Sequence, residues 1–116
     1  MKLEFLFAPT SDLEATLALY RDGFGAEEVW REGDTTAALT LPGSDVQLMI
    51  DSNDADAPPG PVFVVDSVER FHETRPTALE VLAEPMEIPG GFQALYRDPH
   101  GLAVYVMDQS TDAATG

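Results

Sequence analysis

The sequence predicts an α+β fold of two βαβββ modules that form a curved, mixed β-sheet cleft with the helices on its outer face. Three observations predict it. At 116 residues the chain fits one domain and is long enough to bury a core without staples. Short apolar runs alternate with period two, and two intervening stretches repeat with a period near 3.6. The order strand, helix, three strands occurs twice, weak in residue identity and clear in element order.

Leu3 to Ala8 reads as the first strand, with Leu3, Phe5 and Phe7 on one face and Leu6 and Ala8 on the other. Pro9-Thr10 ends it. Ser11-Asp12-Leu13-Glu14 has the form of a capping box, in which the Ser11 hydroxyl accepts from the Glu14 amide. Leu13, Leu17, Tyr20 and Phe24 follow as one apolar stripe, and Gly23 and Gly25 end the helix. Strands are expected at 26–31, 35–41 and 46–50, separated by Glu32-Gly33-Asp34 and Pro42-Gly43-Ser44-Asp45.

Residues 51–60, acidic and proline-bearing, read as a linker. Beyond them 62–65 is a strand, Asp66 or Ser67 caps a helix holding Val68, Phe71 and His72, and Pro76 cuts it. A sixth strand falls at 81–83 or 87–88, interrupted by Pro85. Pro89-Gly90-Gly91 leads into 92–97, and Asp98-Pro99-His100-Gly101 into 102–107. The whole is read as a single domain, 1–116, with modules at about 1–50 and 61–108 and a polar tail from Gln109 that frays. Two such units, each burying one sheet face under a helix, leave the opposite faces to line a cleft.

Charge narrows the partners. There are 21 acidic against 6 basic residues, a formal net charge of −15, and Lys2 is the sole lysine. Such a field repels nucleic acid and anionic membranes and steers cations, although net charge speaks first to solubility. No cysteine is present, which removes disulfides and thiolate chemistry and suits a reducing cytoplasm. No apolar stretch approaches a membrane span, and Glu4 interrupts the short N-terminal run. The expectation is a soluble, cytoplasmic protein.

Two stretches carry a family signal. Pro9-Thr10-Ser11-Asp12-Leu13-Glu14-Ala15-Thr16-Leu17-Ala18-Leu19-Tyr20 resembles the first-helix signature of the glyoxalase/bleomycin-resistance/dioxygenase (vicinal oxygen chelate) superfamily, with Leu19 where an aromatic is usual. Asp98-Pro99-His100-Gly101-Leu102-Ala103-Val104-Tyr105-Val106-Met107 is similar to the turn into that family's last strand. The resemblance implies the two-module fold over about residues 3–108. In its enzymes it implies a metal held from the first, fourth, fifth and last strands. Those positions fall here on Phe5, on Met49 with Gln47 beside it, on Gly60 and on Tyr105. None is an imidazole or carboxylate, the ligands a divalent metal wants. The two histidines, His72 and His100, fall elsewhere.

The expected cleft is therefore lined by Phe5, Phe7, Trp30, Gln47, Met49 and Tyr105, without metal or other cofactor and without catalytic residues. Aromatic rings stack on planar ligands, Met adapts to irregular shapes, and Gln47 can fix orientation by hydrogen bonding. This favours a small-molecule binding protein similar to the bleomycin-resistance branch, an antibiotic-sequestering group, taking an aromatic or cationic ligand. Members of that branch are commonly dimers, and Pro9 resembles their strand-exchange hinge; a homodimer is expected on symmetry as well. The alternatives are a metal-dependent lyase, isomerase or dioxygenase, for which Glu4, Glu87, Tyr96 and Tyr105 are the proton-transfer candidates, and a degenerate interaction module.

Overall fold

A computed structural model describes residues 1–111. The chain divides into two compact units, residues 4–59 and residues 1–3 with those from 60 onward. Each is a βαβββ module with a mixed sheet and one helix, so the α+β class and the duplicated element order are both present.

The first module contains β1 (Lys2–Pro9), α1 (Leu13–Phe24), β2 (Glu27–Glu32), β3 (Thr36–Thr40) and β4 (Gln47–Asp51). Its strands lie in the order β2-β3-β4-β1. Tight turns make β2, β3 and β4 antiparallel neighbours, and β1 closes against β4 in parallel, as a crossover through a helix requires. Leu13 and Leu17 of α1 pack on Ala26, Ala37, Leu39 and Ile50, with Ala8, Tyr20, Leu41 and Leu48 at the margin. Alternation then turns Phe5, Phe7, Gln47, Met49 and Ala38 to the opposite, helix-free face.

The helix start corrects the sequence expectation. Asp12, not Ser11, is the N-cap: its Oδ1 accepts from the Ala15 amide at 3.1 Å. The carboxylate adds a negative charge at the positive end of the helix dipole, which a serine does not supply. At the other end Gly25 adopts φ 73°, and its amide and that of Ala26 return to the Tyr20 carbonyl. Phe24, expected on the buried stripe, is 60 % exposed and stacks on Tyr20 with ring centroids 5.2 Å apart. Arg31 ties β2 to the helix by donating to Glu14 and to Glu28, both at 2.7 Å. These bonds hold its pKa above the ordinary arginine value.

The second module repeats the plan with β5 (Gly60–Val64), α2 (Val68–Thr74), β6 (Glu80–Ile88), β7 (Gly91–Arg97) and β8 (Ala103–Met107), ordered β5-β8-β7-β6. Here β5 and β8 are the parallel pair. Val68, Ala94, Tyr96 and Val106 form the buried cluster under α2. Ser67 caps the helix, accepting from Arg70. Asp108 is 2 % exposed. It accepts from the amides of Val68 at 2.8 Å and Phe92 at 2.9 Å, and from the Ser110 amide and hydroxyl. One carboxylate thus joins the start of α2, the start of β7 and the end of β8.

Other boundaries shift for physical reasons. The sixth strand is one continuous strand through Pro85 that takes in both of the alternative segments, 81–83 and 87–88, because β6 ends the strand order and its ladder slips between Ala83 and Met86; at such a bulged edge the missing N–H is tolerated. β4 includes Asp51 and β5 begins at Gly60, so the connection is residues 52–59. Of the tail expected to fray, Ser110 and Thr111 are hydrogen-bonded to Asp108 and Gly90, and 112–116 lie outside the described residues. Among the described residues no helix is long and apolar enough to cross a membrane.

Candidate functional site

The structure brings five of the six expected lining residues onto one face of the first module. In the parallel pair of β1 and β4, Phe5 lies opposite Gln47 and Phe7 opposite Met49. In-register neighbours on parallel strands point the same way and sit about 4.8 Å apart. Beyond β4, Met49 faces Ala38 on β3, and Ala38 faces Trp30 on β2.

Phe5 and Trp30 stand at opposite margins of this four-stranded sheet, about 14 Å apart at three strand spacings. Yet their rings meet edge to face, centroids 6.3 Å apart at 90°. The two side chains therefore lean toward each other over β4 and β3, and the small Ala38, fully buried, leaves room beneath them. Phe5 is 7 % exposed, while Phe7, Trp30, Gln47 and Met49 are half-buried. Tyr105 belongs to the second module, 5 % exposed, on that module's helix-free face between Val62 and Leu95.

Gln47 carries the unusual detail. Its Oε1 is buried and, among the described residues, has no hydrogen-bond partner. A buried acceptor left in that state costs about 1–3 kcal/mol, so folded chains leave few of them.

A polar cluster at the end of the same face was not expected from the sequence. Asp51 continues the alternation of Gln47 and Met49, and Thr36 is its partner on β3. Both are buried. The Thr36 hydroxyl donates to Asp51 Oδ1 at 2.6 Å, and the Asn53 amide donates to the same oxygen at 2.8 Å. The acidic composition of residues 51–56 hides the strand residue among linker residues. The period-two run from Gln47 is the signal that includes it.

The positions that the family resemblance assigns to a metal do not fit one. Phe5 and Tyr105 offer a ring and a phenol, and Met49 a thioether. Position 60 has no room for a ligand at all: a Cβ there would collide with the Ala103 carbonyl oxygen and stand 3.1 Å from its carbon. Among the described residues, no three His, Cys, Asp or Glu side chains are grouped to hold an ion.

The proton-transfer candidates are dispersed. Glu87 is exposed on β6. Tyr96 is fully buried on the helix side of β7, the face opposite to Tyr105. Its hydroxyl lies 2.8 Å from His72 Nδ1, and His72 Nε2 lies 2.8 Å from Glu84. A neutral imidazole that donates from Nε2 to Glu84 has Nδ1 left to accept from the phenol. Burial pushes the Tyr96 pKa up; Arg75 acts against this and Glu84 with it.

A family model for the Glyoxalase/Bleomycin resistance protein/Dioxygenase superfamily matches residues 2–106. No curated protein matches the chain. Among solved structures, the chain is similar to an NAD-dependent benzaldehyde dehydrogenase from Legionella pneumophila, with a TM-score of 0.76 and 12 % identity over 90 % of this chain and 97 % of that one. It is similar to methylmalonyl-CoA epimerase from Mycobacterium tuberculosis, with a TM-score of 0.64 and 18 % identity over 98 % and 91 %. A glyoxalase/bleomycin resistance protein/dioxygenase superfamily member from Vibrio splendidus 12B01 aligns with a TM-score of 0.60 and 19 % identity over 90 % and 96 %. At these identities the likeness is one of fold, and with the family model spanning nearly the whole chain, the protein belongs to the glyoxalase/bleomycin resistance protein/dioxygenase superfamily.

Proposed function

We propose that the protein binds a small planar molecule on the helix-free face of its first module, and does so without a metal. The observation that carries this reading is the pairing of a leaning Phe5–Trp30 ring contact with a buried, unpartnered acceptor on Gln47. Apolar surface with a few fixed polar groups is the usual form of a small-molecule site. Phe5, Phe7, Trp30 and Met49 supply contact area, and Gln47 supplies direction. The role closest to this chemistry is sequestration of an aromatic or cationic compound, as expected of the bleomycin-resistance branch.

Trp30 is the sole tryptophan, so its emission reports on this face alone. Titration with planar aromatic compounds should change that emission saturably, and Trp30→Phe should weaken the binding of the same compounds measured by calorimetry. A panel that produces no saturable change would end the proposal. The homodimer and the cytoplasmic setting belong to the same proposal; light scattering on the purified chain tests the former.

A further inference from the structure

A buried acceptor without a partner costs the free chain stability, so its presence calls for an explanation. A methionine or leucine at position 47 would fill similar space beside Phe5 and Met49 without an acceptor to satisfy. We propose that Gln47 is the specificity-determining residue of this face, and that its Oε1 is held for a hydrogen-bond donor carried by the ligand. The inference rests on the reading of the face as a binding surface.

The chemistry of the surroundings narrows the ligand. The polar side chains on this face that lie nearest along β4 are Gln47 and Asp51, an amide and a carboxylate. The strands of the first module contain two basic residues, Lys2 and Arg31. Lys2 alternates with Phe5 and so belongs to the other face, and Arg31 is engaged by Glu14 and Glu28. A carboxylate or phosphate would meet no cation from these strands. The class that fits is a neutral or cationic planar molecule with a ring N–H, an arylamine or an amide N–H. Because Oε1 is covered, the ligand reaches it only as the side chains packed over it move aside.

Indole and benzimidazole, each paired with its N-methylated counterpart, test this by isothermal titration calorimetry on the full chain. The N–H compounds should bind the wild type at least about tenfold tighter than the N-methyl compounds, the discrimination expected when a donor is missing from a site built to receive it. Gln47→Met should abolish that preference and raise the Tm of the free protein by about 4 °C or more as the orphaned acceptor is removed. Equal binding of both members of each pair would overturn the role of Gln47 and leave the binding face standing. A lower Tm for Gln47→Met would show the amide to be structural and overturn the proposal likewise. If no compound binds and Trp30 emission does not respond to any, the binding face itself falls, and the proposal with it.

Discussion

Asp108 concentrates more of the second module's order than any other polar side chain described above. Burial works to raise its pKa, but the amides of Val68, Ser110 and Phe92 and the Ser110 hydroxyl outweigh it and hold the carboxyl below its ordinary value. A folded-state pKa below the unfolded one contributes stability above about pH 4 that is lost as pH falls through the folded value. Asp108→Asn should cost about 1–3 kcal/mol at neutral pH by setting an amide NH2 against an N–H donor, and should flatten the acid limb of the stability curve. Urea titrations between pH 2 and 7 check both. Tyr96 has the opposite sign. Its raised pKa means that the unfolded chain releases the phenolic proton first, so stability is lost as pH climbs past about 10. Tyr96→Phe should remove this part of the alkaline loss and, by breaking the hydrogen bond to His72 Nδ1, cost about 1 kcal/mol at neutral pH. An unchanged alkaline limb in the variant would contradict the assignment.

Elements were legible where local chemistry and tertiary packing agree. The stripe of Leu13 and Leu17 marks α1, and Leu17 is the residue at its centre, fully buried against the sheet. Leu17→Ala should cost about 2–5 kcal/mol by opening a cavity there, read as a lower denaturation midpoint with an unchanged m-value. Phe24→Ala, on the same stripe, should cost far less, because the Phe24 ring is exposed and rests on Tyr20. The turns at Pro89-Gly90 and Asp98–Gly101 were legible for the same reason: Asp98 accepts from the amides of His100 and Leu102 within the turn. What escaped the sequence depends on partners distant along the chain. Asp51 reads as linker until Thr36, fifteen residues earlier, donates to it. Pro85 reads as a strand break until β6 is known to be an edge. The lining residues Phe5, Phe7, Gln47 and Met49 follow from alternation, but the orphaned oxygen on Gln47 and the leaning of Trp30 toward Phe5 are properties of the packed face.

At the scale of the whole molecule, a formal charge of −15 repels itself in the compact state. Raising sodium chloride from about 0.01 M to 1 M shortens the Debye length from about 30 Å to 3 Å, and the Tm should rise. A falling Tm in scanning calorimetry would mean that ion pairs such as Arg31–Glu14 outweigh the repulsion. The repeated strand order has a kinetic consequence. In each module the parallel pair should be made last, since Phe5 must meet Gln47 and Val62 must meet Tyr105 across about forty residues of chain. Hairpins form early and the parallel closure is the slow event, so contact order sets the rate of folding. Destabilising substitutions in the β2–β3 turn should therefore slow refolding at least as much as equally destabilising ones in β1 or β5, whose effect should fall more on the unfolding rate, a contrast that stopped-flow chevrons resolve. A chain growing from its N-terminus holds every strand of the first closure once Asp51 has been made, and can finish one module while the other is still being synthesised.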